Sequence, residues 1–183
     1  MTAIADSTDL KPRSRKAAHL ELLDDVDQAR VRADLTTFFG PRADTFLDIY
    51  ETMRSATGGR RARPVTWSWP VFLGSFTWFF YRKMYAYGAM IVILPIVLGY
   101  LFGSAGSALP FVFAMWAKGW YVTYALNRIV KADRLGLTGP ARTDYLQRAG
   151  GVSLTAGIFA GLIYAALLAL VIFGTVIQRK AGH

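Results

Sequence analysis

Lys118 stands near the middle of an otherwise apolar stretch, Leu109–Val130, flanked by Trp116, Trp120, Tyr121 and Tyr124. No acidic residue occurs between Glu51 and Asp133, so the neighbouring stretches hold no carboxylate to neutralise it. A lysine unpaired at mid-membrane depth costs about 2.5–3.5 kcal/mol on insertion scales. About ten residues of helix, roughly 15 Å, would separate Lys118 from either surface, which leaves snorkelling alone short. Three resolutions remain: deprotonation, a nest of hydroxyls such as Tyr121 and Thr155 with backbone carbonyls, or an anionic partner or substrate from outside the chain. A second basic group, Arg82, Lys83, Arg128, Lys131 and Arg134 with Asn127 beside it, falls just beyond the ends of apolar runs. Cations at such positions suit lipid phosphates or an anionic partner. Asp44, Asp48 and Glu51 read as one solvated helix face, since helical carboxylates at this spacing are common and no histidine accompanies them. His19 and His183 are far apart and cysteine is absent, so no metal site, cofactor or disulfide is expected. No nucleophile–base arrangement is visible, which predicts a protein that is not an enzyme.

The elements that must position these residues are helical. Tyr81 is followed by Arg82-Lys83 and then by Met84–Gly103, a run of charge-free residues long enough to cross a bilayer core of about 30 Å. Pro95 within it removes a backbone hydrogen bond and predicts a kink. The fold expected is all-α: a helical membrane protein with spans at 84–103, 109–130 and 154–177 in a membrane domain over 84–177. Residues 65–83, rich in tryptophan and phenylalanine, are expected as an interfacial or re-entrant helix, because Arg82-Lys83 is a poor turn between two spans. Ahead of it come a disordered basic tail over 1–18, a cytoplasmic amphipathic helical pair over 19–54 and a linker over 55–64. The first helix of the pair is expected over His19–Leu35, with Thr36–Gly40 breaking it and Pro41 opening the second. A short helix is expected over Ala141–Ala149, ended by Gly150-Gly151, and a tail over 178–183. Gly157, Gly161, Ala165 and Ala169 repeat on one face of the last span, a small-residue stripe suited to close helix packing within the chain or to a homodimer seam.

Charge sets the expected orientation. The net charge is +9 although 54% of the residues are hydrophobic. With three spans and the N-terminus inside, 13 basic residues before Met84 and 5 from Arg128 to Arg148 lie on the cytoplasmic side, against Arg179 and Lys180 outside. The positive-inside rule selects that arrangement. No nucleic-acid motif accompanies the basic charge, and the expected partners are anionic membrane lipids, a larger membrane complex or further copies of the chain.

The segments FFGPRADTFLDIYETM, TWSWPVFLGSFTWFFYRKMY and YALNRI resemble domain-of-unknown-function family 2628, a group of small polytopic proteins of the bacterial inner membrane. The resemblance runs over roughly residues 38–130, and Tyr81 to Tyr85 (YRKMY) is its most specific part. Two positions depart from the family: Arg42 stands where asparagine is usual, and Trp69-Pro70 replaces an asparagine–tryptophan pair. The resemblance implies a helical membrane fold, a bacterial inner membrane and no established activity. The function expected is a non-enzymatic membrane subunit or scaffold that contacts anionic lipid or a larger complex. The alternative is a small oligomeric transporter or lipid-handling protein that uses Lys118 as an anion site.

Overall fold

The computed structural model of the chain describes residues 22–23, 27–55, 65–102 and 108–181. The expectations for the basic tail, most of the linker and the turn after residue 103 lie outside these residues. Every regular element among the described residues is a helix: α1 Gln28–Phe39, a 3-10 turn Gly40–Arg42, α2 Ala43–Ser55, α3 Trp69–Gly74, α4 Thr77–Tyr81, α5 Tyr85–Phe102, α6 Leu109–Arg134, α7 Gly139–Ala149 and α8 Leu154–Ala181.

The first helix differs from its expected span. It begins at Gln28, because the Asp27 carboxylate accepts the Arg30 N–H at 3.0 Å and caps it there. Leu22 and Leu23 form a buried turn instead of a first helical turn. Thr36 to Phe39, expected to break the helix, are its last turn: the hydroxyls of Thr36 and Thr37 donate back to the carbonyls of Arg32 and Ala33. The break comes at Gly40, whose φ of 69° suits glycine, and Pro41 turns the chain into α2. The buried face of α2 is Phe46, Leu47, Ile49, Tyr50 and Met53. Glu51 on its other side is held by Arg32 at 2.9 Å and Arg54 at 3.5 Å.

The centre of the fold is α6. Ala114, Ala117, Tyr121, Ala125, Ile129 and Ala132 recur every three or four residues and are all fully buried. The alanines let other helices come close, and the N-terminal half packs on α3 while the C-terminal half receives α1, α2 and α7. Arg142 ties that lower end together. Its Nε and Nη2 donate to the Asp34 carboxylate at 3.0 and 2.6 Å, and its Nη1 to Asp133 at 2.7 Å. Asp133 also accepts from Arg30 at 3.0 Å, so α1, α6 and α7 share one charge network. The two carboxylates hold the Arg142 guanidinium charged and push its pKa above the ordinary arginine value, with the Asp34 hydrogen bonds the largest cause. A raised value on a cation means that this stabilisation is present below the ordinary guanidinium pKa for as long as the two carboxylates stay ionised.

The expected second span, 109–130, lies within this longer helix. The helix runs to Arg134, and protein encloses it on several sides, which lets it carry a lysine at its middle, two tryptophans and two tyrosines. Among the described residues two helices are long and apolar enough to cross a membrane. One is Tyr85–Phe102 and the other falls within Gly139–Thr175, of which Gly150-Gly151 leaves only the α8 portion as an unbroken apolar helix. Residues 65–81 are also not one helix. The chain breaks at Ser75, with φ 47°, into α3 and α4, and neither of these is long enough to cross.

Candidate functional site

Arg82 follows the aromatic run directly, and sequence alone placed it at a membrane surface. Its backbone N–H bonds the Trp78 carbonyl at 3.0 Å, so it closes the last turn of α4, and its side chain turns inward. It is 5% exposed. Four rings from three parts of the chain surround the guanidinium: Phe46 at 5.0 Å, Tyr121 at 5.1 Å, Tyr81 at 5.8 Å and Trp78 at 5.9 Å from Cζ to ring centroid. Cation–π attraction to several rings offsets part of the loss of water. No carboxylate pairs with Arg82 among the described residues, and its Nε has no hydrogen-bond partner there.

Lys118 is also corrected. It lies half-buried on α6 and lines a cavity of about 180 Å³ with Arg42, Arg82, Ser68 and Trp78. It therefore lines one cavity with two other cations close to the N-terminal helical pair, where an unpaired position at mid-membrane depth was expected. The nest of hydroxyls, one of the alternatives, is not formed among the described residues; the Tyr121 hydroxyl donates towards the Gly151 carbonyl at 3.5 Å. Neither Lys118 nor Arg42 makes an ion pair among the described residues.

The remaining basic residues do not form one rim. Lys83, in a left-handed conformation with φ 58°, sends its Nζ to the Arg148 carbonyl at 3.0 Å. That contact caps the C-terminal end of α7, so Lys83 is engaged inside the fold. Its own carbonyl accepts the Tyr124 hydroxyl at 3.3 Å, and Arg128 donates to that hydroxyl at 2.6 Å while lying 4.8 Å from the Tyr124 ring centroid. Asn127, Lys131 and Arg134 are exposed on α6. The structure thus divides the expected rim, placing Arg82 with Arg42 and Lys118, and Lys83 with Tyr124 and Arg128.

Arg42 is the member that sequence reasoning left out. Its signal was present: a cation directly after Gly40-Pro41, at a position where the resembling family carries asparagine. Pro41 opens the 3-10 turn and Ala43 begins α2, so the turn fixes Arg42 at the mouth of the cavity.

A wider groove of about 380 Å³ adjoins this cavity, sharing Arg42, Pro70, Trp78 and Arg82, and continues along Leu154, Gly157, Ile158 and Gly161 of α8. The small-residue stripe of α8 is used as a seam only at its start. The Gly157 position lies against the Tyr81 ring, and Ala160 is buried, with Tyr164 packed on Phe76. Gly161 faces open space, and Ala165 and Ala169 are exposed, so the seam expected within the chain ends after its first step.

Among the described residues no three histidine, aspartate or glutamate side chains gather where they would hold a metal ion. No family model, curated protein or solved structure matches the chain.

Proposed function

We propose that the chain is a non-enzymatic integral protein of the bacterial inner membrane, a subunit or scaffold that contacts anionic lipid or a larger membrane complex. The observation that carries this reading is the exposed surface of α5 and α8. Ile96, Tyr100 and Phe102 on the first and Leu162, Leu170 and Phe173 on the second are each more than 60% exposed. Apolar surface of that extent is poorly tolerated in water and suits lipid or a partner. The two helices leave from one place. The Met84 N–H bonds the Phe79 carbonyl at 2.8 Å, and the Ser153 N–H bonds the Tyr81 carbonyl at 2.8 Å, so both start beside α4.

A third crossing by α6, within the span expected at 109–130, belongs to this reading. Tyr87 at the start of α5 packs near the rings of Trp120 and Tyr124 on α6, so the chain that leaves along α5 returns along α6 to the level where it set out. Protein on its flanks would let this segment cross with less lipid contact than α5 or α8. With α1, α2 and α7 in the cytoplasm, the excess of basic residues falls inside, in accord with the positive-inside rule. The resemblance to domain-of-unknown-function family 2628 supports the same location.

Lipid contact is tested on the cations at the C-terminal end of α6. Replacing Arg128, Lys131 and Arg134 by glutamine is expected to weaken retention of anionic lipid in mild detergent by about 1 kcal/mol per charge. Mass spectrometry of the co-purified lipid and protein reads the result. Unchanged anionic lipid and no co-purified membrane protein would contradict the proposal.

A further inference from the structure

Resting on the lipid-contact reading, we infer that the Arg42–Arg82–Lys118 cavity is the headgroup site for one anionic phospholipid, with an acyl chain laid along the groove against α8. Three observations meet here. First, three cations line one cavity, and none has an ion pair among the described residues. Like charges drawn together without a carboxylate repel one another, and an anion between them removes that repulsion. Second, Arg82 is buried and rigidly held by Phe46, Tyr81, Trp78 and Tyr121, yet its Nε is unpartnered among the described residues. A buried guanidinium N–H without an acceptor is expensive, and a phosphate oxygen is its best-matched acceptor. A cavity of about 180 Å³ holds several waters at roughly 30 Å³ each, and so has room for a phosphate group.

Third, the cavity shares Arg42, Pro70, Trp78 and Arg82 with the groove of about 380 Å³, which Leu154, Ile158 and Gly161 of α8 also line. A free phosphate would have no use for an apolar groove beside a membrane-crossing helix, whereas a phospholipid presents a phosphate and a hydrocarbon chain at that spacing. The cations also choose among lipids. An ammonium headgroup would meet three positive charges with no carboxylate to receive it, so a phosphatidylglycerol-type lipid is favoured over phosphatidylethanolamine.

The full chain is purified in mild detergent from membranes containing both lipids, and the retained lipid is counted by native mass spectrometry. The wild type is expected to keep one phosphatidylglycerol after the looser lipids are stripped. Arg82 is left in place because its removal would disturb the core. The double variant Arg42→Gln/Lys118→Gln is expected to lower retention at least tenfold, at about 1 kcal/mol per lost charge near a phosphate. Gly161→Leu has open space for its side chain and should keep the wild-type melting temperature while lowering retention by blocking the groove. Retention unchanged in the double variant, or in Gly161→Leu, would overturn the inference. Displacement of the lipid by millimolar inorganic phosphate would equally overturn it, in favour of a free-anion site. If the cavity variants keep the lipid while the Arg128/Lys131/Arg134 variant loses it, the cavity assignment fails and general lipid contact stands. If the wild type retains no anionic lipid, both fail.

Discussion

Tyr121→Ala should destabilise the protein by about 4 kcal/mol, at the upper end of large-to-small core substitutions. Tyr121 is fully buried at the middle of α6. Its ring lies 5.8 Å from Phe38, 5.3 Å from Phe39, 4.9 Å from Phe46 and 5.8 Å from Trp78, so one residue joins α1, α2, α4 and α6. Removing the ring opens a cavity at the point where these four helices meet, and it also takes away one of the faces that hold Arg82. Tyr121→Phe separates packing from hydrogen bonding. It keeps every ring contact and loses the hydroxyl's bond to Gly151, already stretched to 3.5 Å, and its contact with Arg82, so it should cost about 1–2 kcal/mol, well below the alanine loss. Thermal unfolding in detergent of both variants checks the pair, and equal losses would show that the ring packing is not what matters.

Gly150→Ala should cost at least about 3 kcal/mol, although only one methyl group is added. A Cβ at this position would come within 2.2 Å of the Phe38 backbone carbonyl and 2.8 Å of the Phe38 ring. The obstacle cannot swing aside, because it is backbone at the buried end of α1. The Gly151 N–H donates to that same carbonyl at 2.8 Å, so displacement would break this hydrogen bond as well as overpack the site. A loss of this size should lower the melting temperature by on the order of 10 °C. Gly161→Ala is the control: its Cβ would meet nothing within 4 Å, and no loss is expected. A Gly150→Ala protein as stable as the wild type would mean that α1 and the α7–α8 junction are not packed as described.

These two sites also show where the sequence was legible. The α5 and α8 helices were readable because a long charge-free run fits a bilayer core better than it fits a small soluble domain. Gly150-Gly151 was readable as a break. That the break exists to let the α1 carbonyl approach was not readable, since Phe38 and Gly150 are far apart in the chain. The helix around Lys118 reads from sequence as a membrane span and no more, because composition cannot report enclosure; the small residues Ala114, Ala117 and Ala125 are the local sign that other helices press against it. Arg82 was misplaced for a similar reason. A basic pair after an aromatic run looks like a membrane surface, and nothing nearby announces that Phe46 and Tyr121 will fold over it. Arg42 completed the site unnoticed, because its importance lies in the turn that aims it and in the carboxylates absent around it.

The proposed topology, in which α5 and α6 carry the chain across the membrane and back with the basic helices inside, is open to one direct measurement. The chain has no cysteine, so single cysteines report without background. Thr52→Cys on α2, Ser104→Cys between α5 and α6, and Asp144→Cys on α7 are treated in intact spheroplasts with a membrane-impermeant maleimide. Labelling of Ser104→Cys in intact spheroplasts, with Thr52→Cys and Asp144→Cys labelled only after lysis, is the expected result. Labelling of Thr52→Cys or Asp144→Cys without lysis, or of Ser104→Cys only after it, would contradict the account.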